Sequence, residues 1–204
     1  MNRFRILALG LTVAFFSQSF VSTPASAGVF TMPHFVEPDH FSLGIEPELT
    51  FTDGAGIGVN AKYTHGISDL MNVMGVIGTG SGPKKFRIGG AAVFDFFPDV
   101  EEQPGVGLAL EGIYYRRRDG GRLDLTAVPY IHKAFKHSDM LIEPFAALPF
   151  GFGFRSDNYD GLFSVVVGTI FGKADSEHLR YVVELGINVD HADTYIAGGL
   201  SYYH

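Results

Sequence analysis

A two-residue alternation of apolar and polar side chains constrains this chain more than any other feature. Residues 41–52 place Phe, Leu and Ile residues on one face and Ser, Gly, Glu and Thr residues on the other. A period of two is that of a β-strand whose two faces meet different surroundings. The pattern returns in residues 57–67, 86–97, 106–115, 123–132 and 179–190. It predicts an all-β chain.

Four further segments alternate less regularly. They are residues 70–79, 140–154, 162–171 and 194–204, and Pro144 and Pro149 interrupt the second of them. Together with the regular segments they predict ten strands, most of about 10 to 13 residues. The connectors are short and rich in Asp, Gly, Asn, Ser and Pro, which favour turns. Because no linker divides the strands, we predict a single β-domain over residues 41–204.

The N-terminal residues have the three parts of a secretory signal peptide. Arg3 and Arg5 supply the positive end, residues 6–16 supply the apolar centre, and Ala25-Ser26-Ala27 is a small-residue cleavage signature. We therefore predict a cleaved signal peptide at residues 1–27. Residues 28–40 then form an N-terminal lead to the first strand.

Charge and cysteine content exclude several classes of function. The chain has a formal charge of −7, and removing residues 1–27, which contain two basic and no acidic residues, leaves −9. An acidic chain is a poor candidate for binding nucleic acid. There is no cysteine, which excludes disulfides and thiol nucleophiles. The glycines of residues 78–82 belong to a predicted hairpin connection and do not form a phosphate-binding loop before a helix. We expect no cofactor.

Strand length distinguishes the two folds that such a series of antiparallel strands commonly forms, a soluble β-sandwich and a membrane β-barrel. Strands of soluble proteins have a modal length of about 5–6 residues, whereas a tilted membrane strand needs about 9–11. The predicted strands fit the longer class. In lipid, strands cross only as a closed barrel, because every backbone polar group must be paired within the protein. We predict a closed antiparallel up-and-down transmembrane β-barrel of about ten strands, with eight or twelve as alternatives.

Aromatic residues at strand ends and a closing C-terminal strand complete the pattern. They are Tyr63, Tyr114, Tyr181 and Tyr195, and the closing strand is residues 195–204. With the signal peptide and the amphipathic strands, the chain resembles the small outer-membrane β-barrels of Gram-negative bacteria. The resemblance implies a monomer in the outer membrane, surrounded by lipid and lipopolysaccharide, with its N-terminus in the periplasm. It also implies that the barrel-assembly machinery binds the C-terminal strand.

Charged residues on the polar faces are expected to line the lumen. They are Glu46, Glu48, Lys62, Arg87, Asp95, Glu111, Asp124, Arg180 and Glu184, with Glu143 in less regular phase. Charges inside a narrow barrel must be paired or hydrated. We therefore expect a largely side-chain-filled lumen and a structural or surface-contact role. Because the acids outnumber the bases seven to three, a narrow cation-favouring pore for small solutes is the alternative.

Three other functions have weaker sequence support. A lipid acyl hydrolase would need a Ser/His/acid set, for which His137-Ser138-Asp139 and His132 are the candidates. Neighbouring strand residues point to opposite faces, so we expect no enzyme. A metal site at His34, Glu37, Asp39 and His40 has no recognised ligand spacing, and we expect no metal. A soluble periplasmic lipocalin-like binder is the non-membrane alternative.

Overall fold

The computed structural model describes residues 35–52, 55–82, 84–117, 120–156, 158–173 and 178–204. The predicted signal peptide and residues 28–34 of the predicted lead lie outside these ranges. No helix in the described residues is long and apolar enough to span a membrane. The described residues form twelve strands: β1 Phe41–Thr50, β2 Gly56–Ser68, β3 Met71–Gly80, β4 Phe86–Phe97, β5 Gly105–Arg116, β6 Gly121–His132, β7 Phe135–His137, β8 Met140–Ala147, β9 Phe150–Phe154, β10 Tyr159–Lys173, β11 Leu179–Asp190 and β12 Tyr195–Tyr203.

The sheet closes on itself. β1 pairs with β2 on one side and with β12 on the other, and β11 pairs with both β10 and β12. Every pair of neighbouring strands is antiparallel. The prediction of an all-β, closed antiparallel barrel is confirmed. This is the architecture of the outer-membrane proteins that the sequence resembles.

The wall of the barrel has ten strand positions, as the alternation predicts. β8 and β9 share one position between β6 and β10. They are one crossing interrupted at Leu148 and Pro149, where Leu148 N donates to Pro129 O at 3.0 Å. Proline cannot donate to the ladder, which explains why the strand breaks here. β7 pairs only with β8 and extends that hairpin beyond the wall.

The two faces of the wall differ in polarity. Along β1, buried and exposed residues alternate strictly, and the exposed set is apolar, including Ile45 and Leu49. The same division holds on the other wall strands. Among the described barrel strands, the outward phase carries charge only at Arg116 and Lys173, each the last residue of its strand. Between these rims the outer face of the described strands is uncharged and mainly apolar, and it is here named the apolar belt.

The closing seam between β1 and β12 is incompletely paired. The ladder keeps one register along its length, but the pairs at Glu46 and Pro47 are missing at its centre. In that register Gly199 and Gly198 stand opposite them. Pro47 has no N–H to donate, and a Cβ on Gly199 would lie 2.5 Å from Glu46 Cγ. The seam is therefore continuous in register and interrupted in hydrogen bonding.

The two ends of the barrel are distinct. The end that holds the start of β1 and the finish of β12 is here named the terminal end. There Phe41 N donates to His204 O at 3.1 Å and His204 N donates to Phe41 O at 2.9 Å. At the opposite end, five connections of four or five residues each join the strands. Neither end carries a long external loop.

Candidate functional site inside the barrel

The nine charged residues that the sequence places in the lumen are all buried in the barrel, with exposed fractions of 1–7%. Glu143, whose phase was less regular, is buried as well. Because each residue lies on the inward phase of its strand, the barrel wall holds these side chains in a common interior. Their pairing decides whether that interior is open or filled.

The strongest cluster surrounds Glu48 on β1. Its carboxylate lies 2.8 Å from Lys84 Nζ and 2.6 Å from Arg87 Nη1. It also accepts a hydrogen bond from Thr50 Oγ1 at 2.7 Å. Two cations and a hydroxyl thus surround one buried carboxylate. Such an arrangement offsets the cost of removing the charges from water.

Lys84 enters the barrel from the connection between β3 and β4. Its Nζ lies 3.2 Å from an oxygen of Asp193, which belongs to the β11–β12 connection. The same Nζ lies 5.9 Å from the ring centroid of Tyr115 and 5.5 Å from that of Tyr195, distances at which a cation is attracted to an aromatic face. Two connections at the opposite end therefore fold inward and cover the Glu48 cluster.

Further pairs fill the middle of the barrel. Lys62 Nζ lies 2.7 Å from Glu46 Oε2, and Arg122 Nε lies 2.6 Å from Asp124 Oδ1. Glu184 accepts a hydrogen bond from the Tyr195 hydroxyl at 2.5 Å. These contacts join side chains from β1, β2, β6, β11 and β12. Each of these contacts lies within one strand or between neighbouring strands, whereas Glu48 on β1 and Arg87 on β4 join strands that are not neighbours.

An apolar cluster shares the interior with these charges. It includes Val93, Val128, Phe145 and Val166, each at most 5% exposed. Sequence alternation alone does not reveal this cluster, because it consists of apolar residues on the predicted polar faces. The barrel thus has an apolar surface inside as well as outside, next to the buried charges.

At the terminal end, polar contacts fasten the connections. His132 Nδ1 lies 2.7 Å from Glu143 Oε1, and Lys133 pairs with Asp99. Ala134 N donates to Asp99 Oδ2 at 2.6 Å. Asp99 thus ties the β4–β5 connection to the segment that follows β6.

The structure corrects the expected charge balance. Lys84, Arg117, Arg122 and Asp193 are buried together with the predicted residues. The buried set in the described part of the chain therefore has eight acids and six bases, in place of seven and three. Arg117 continues the inward phase of β5, and Arg122 lies on the inward phase of β6. Because the residues between them are typical of turns, the sequence pattern assigns both residues to a turn and does not place them in the lumen. Lys84 and Asp193 lie in connections, where alternation gives no signal.

The residues considered for catalysis are separated. His132 faces the interior and contacts Glu143, whereas His137, Ser138 and Asp139 are exposed at the β7–β8 turn. No group of three or more His, Cys, Asp and Glu residues in the described ranges is placed to hold a metal ion. In the lead, His40 Nδ1 lies 3.0 Å from Pro38 O, and His34 lies outside the described residues.

Residues 35–40 of the lead fold back over the β2–β3 hairpin at the terminal end. Val36 is buried. The side-chain amide of Asn72 is oriented so that both of its polar atoms are paired. Its oxygen accepts a hydrogen bond from Val36 N at 2.9 Å, and its nitrogen donates one to Val36 O at 3.0 Å. Gly66 makes the close approach possible, because a Cβ there would lie 2.0 Å from Glu37 O. Residues 36–40 are here named the strap.

Replacing Asn72 with alanine is expected to release the strap. The change leaves the buried Val36 N–H and C=O without these two hydrogen bonds, at a cost of about 1–3 kcal/mol. The amide hydrogen of Val36 should then exchange with solvent faster than in the unchanged protein, which hydrogen-exchange mass spectrometry measures. Asn158→Ala is the matched control, because Asn158 is exposed at the opposite end. Equal exchange rates in the two variants would show that Asn72 does not hold the strap.

Comparison with protein families, curated sequences and solved structures finds matches only among solved structures. No protein-family model and no curated protein sequence matches the chain. Among solved structures, the COG4313 outer membrane channel from Pseudomonas putida F1 matches with a TM-score of 0.49 and 8% identity, over 86% of this chain and 100% of that chain. A chain from the de novo design of transmembrane β-barrels has a TM-score of 0.41 and 11% identity, over 82% and 98%. The KdgM porin has a TM-score of 0.38 and 14% identity, over 79% and 98%. At such scores and identities these likenesses carry no conclusion about function.

Proposed function

We propose that this chain is an integral outer-membrane β-barrel with a closed interior, whose role is structural or one of surface contact. The observation that carries the proposal is the filling of the lumen by the chain's own side chains. Glu48 on β1 pairs with Lys84 and with Arg87 on β4, further ion pairs lie within or between neighbouring strands, and an apolar cluster occupies the space that a solute path would need. The proposed role does not require an enzymatic reaction.

The outer face supports insertion in a membrane. Large apolar side chains are exposed on all ten wall positions. Soluble monomers rarely expose a contiguous apolar patch larger than a few hundred Å². The nine uninterrupted wall strands, from 9 residues in β12 to 15 in β10, are long enough to cross lipid at a tilt. A lipocalin-like soluble binder would need the reverse arrangement, with a polar exterior and an apolar cavity.

The interior contacts favour a filled barrel over a pore. Side chains still fill the lumen of small barrels of about eight strands, and this barrel has only two more wall positions. A polar cavity of about 20 Å³ lies near the terminal end, and the Glu46–Lys62 pair is part of its lining. Room for about one water molecule does not constitute a route for solutes.

The proposed environment includes specific partners. The apolar belt would contact outer-membrane lipid, and the Arg116 rim would contact lipopolysaccharide at the opposite end. The N-terminus would lie in the periplasm, together with the terminal end of the barrel. The outward phase of β12, with Ile196, Leu200 and Tyr202 exposed, would be presented to the barrel-assembly machinery. A closed barrel has no free strand edge, which favours a monomer.

The experiment combines extraction, gel migration and conductance. The protein should be recovered from outer membranes in detergent and should migrate differently on a gel before and after heating. Reconstituted in planar bilayers, it should give no conductance above that of the bare bilayer, because the lumen is filled. A conducting porin measured in the same bilayers is the control.

Two outcomes would contradict the proposal at different points. Recovery in the soluble periplasm would refute membrane insertion. Discrete conductance steps would refute the closed interior and would support the pore. A fall in cation preference on replacing Glu46, Glu48 and Glu111 with glutamine would then identify these residues as its lining.

A further inference from the structure

One strand of the described sheet, β7, keeps a free edge beyond the closed wall. It pairs with β8 on one side and, in the described residues, with no strand on the other. β7 continues the course of β6 past the beginning of β5, because Gly105 at the start of β5 is already paired with His132 at the end of β6. The place beside β7 that a longer β5 would occupy is therefore without a strand.

The register assigns the backbone groups on this edge. His137 and Met140 close the two-residue turn between β7 and β8, and alternate residues of an antiparallel strand direct their N–H and C=O groups to the partner strand. Lys136 therefore directs both of its groups away from β8. Ala134 has the same orientation, and its N–H donates to Asp99 Oδ2 at 2.6 Å. The Lys136 N–H is the next donor along the edge, and it has no hydrogen-bond partner in the described residues.

An open groove of about 550 Å³ lies beside this edge at the terminal end. One of its walls consists of residues 133–136, and the other consists of Glu101, Glu102 and Pro104 from the β4–β5 connection. The Phe135 side chain is 53% exposed where it lines the groove. An extended segment in the groove thus meets a strand edge, an apolar ring and a facing wall.

The facing wall is a tight turn in a strained conformation. Gln103 N donates to Val100 O at 2.9 Å across the turn, and Glu101 has a φ of 50°. This left-handed conformation is uncommon for a residue with a Cβ and persists only where surrounding contacts fix it. Lys133 supplies such contacts, because its Nζ donates to the carbonyl oxygens of Glu101 and Gln103. The turn is thereby fastened to the segment that forms the opposite wall.

The groove has an excess of negative charge. The carboxylates of Glu101 and Glu102 are exposed and have no ion-pair or hydrogen-bond partner among the described residues. The Lys136 ammonium group is exposed and unpaired in the same part of the chain. Lys133 is neutralised by Asp99. Two unpaired carboxylates therefore share the groove with one unpaired ammonium group.

We propose that this groove binds an extended, basic peptide segment of another protein, which adds a strand to the free edge of β7. In this mode of recognition, main-chain hydrogen bonds hold the segment and side-chain contacts select it. Lys136 N–H supplies a main-chain donor, Phe135 contacts an apolar side chain, and the two carboxylates pair with basic side chains. The short edge and its central lysine disfavour pairing with unrelated strands, since both features protect sheet edges. The inference rests on the surface-contact role proposed above and gives that role a partner class.

The first test measures peptide binding to the detergent-solubilised full barrel by fluorescence anisotropy. The probe is a short labelled peptide in which lysine and valine alternate. A glutamate–valine peptide reverses its charge, and a copy with methylated backbone nitrogens cannot donate main-chain hydrogen bonds. The lysine peptide should bind roughly tenfold or more tightly than either comparison peptide. Equal binding of the lysine peptide and either comparison peptide would overturn the proposal.

Charge variants assign the binding to the groove. The double variant Glu101→Gln with Glu102→Gln should weaken binding of the lysine peptide roughly threefold or more, because it removes both carboxylates from the facing wall. The double variant Asp69→Asn with Asp190→Asn is the matched control, since both residues are exposed acids outside the groove. Equal affinities in the two double variants would refute the site.

A proline variant tests the strand edge itself. Lys136→Pro removes the free N–H without removing a bond to β8, and Lys136→Ala removes the same charge but retains the N–H. The proline variant should bind the lysine peptide more weakly than the alanine variant, and equal binding would refute strand addition. If Lys136→Pro does not fold, the methylated peptide decides alone. Dimerisation of the barrel that only Lys136→Pro abolishes would assign the edge to a second copy and overturn the proposal.

These results are separable from those that test the proposed function. Peptide binding is measured in detergent, so its failure leaves membrane insertion and the closed interior as they stand. Recovery of the chain in the soluble periplasm would refute the proposed function, whereas binding of the lysine peptide would still support the groove.

Discussion

Replacing Glu48 with alanine is expected to lower the free energy of unfolding by about 3–5 kcal/mol, because the change leaves buried charges without their partner. Lys84 and Arg87 both contact this carboxylate, at 2.8 and 2.6 Å. Lys84 would retain Asp193, whereas Arg87 would lose the ion pair described here. The opposite end should therefore loosen together with the wall.

Urea unfolding of the barrel in detergent micelles or lipid vesicles measures this effect. Glu102→Ala is the matched control, since Glu102 is an exposed carboxylate in the β4–β5 connection. Its effect should stay within about 0.5 kcal/mol. A loss below about 1 kcal/mol for Glu48→Ala would show that the Glu48 cluster is hydrated and does not hold the interior together.

Replacing Leu110 with arginine is expected to cost about 2–4 kcal/mol, the penalty for a positive charge at the lipid-facing midplane of a membrane barrel. Leu110 lies at the middle of β5, opposite Ala92 on one side and Ala127 on the other. Its side chain is 48% exposed on the apolar belt. Lipid, and not water, is the solvent that makes this substitution costly.

Two control variants separate charge from lost packing. Leu110→Ala removes the side chain without adding charge, and Val100→Arg adds the charge in an exposed connection beyond the wall. The unfolding free energy in lipid vesicles should fall most for Leu110→Arg. In a soluble barrel all three changes would be surface substitutions of about ±0.5 kcal/mol. That result would refute the membrane assignment.

The alternation predicts the wall well because it follows directly from the two-sided geometry of a strand. Residues 86–97 and 179–190 are strands with the predicted bounds, and every inward charge predicted from them is buried. Even the interrupted segment 140–154 crosses the wall once, since Pro149 breaks its ladder without changing its course.

The alternation does not predict the residues in the connections or the contacts across the barrel, because neither follows the two-residue period of a strand. Lys84 and Asp193 reach the interior from connections, where Lys84 contacts Glu48 and Asp193 contacts Lys84. The apolar cluster includes Val93, which shares its predicted face with Arg87 and Asp95, and Val166, whose segment is apolar on both faces. A lumen filled by such residues requires the three-dimensional arrangement, because sequence spacing gives the face of a strand and not the neighbours across the barrel.

The seam between β1 and β12 has a consequence for how the chain is connected. Phe41 and His204 exchange backbone hydrogen bonds, and the ladder keeps one register on both sides of Pro47. Geometrically the wall is therefore a ring, and its first strand is set by where the peptide chain starts and not by packing. The barrel is thus suited to circular permutation, in which a turn would join β12 to β1 and new chain ends would be opened in another turn. The missing bonds at Pro47 would then lie inside a covalently continuous hairpin.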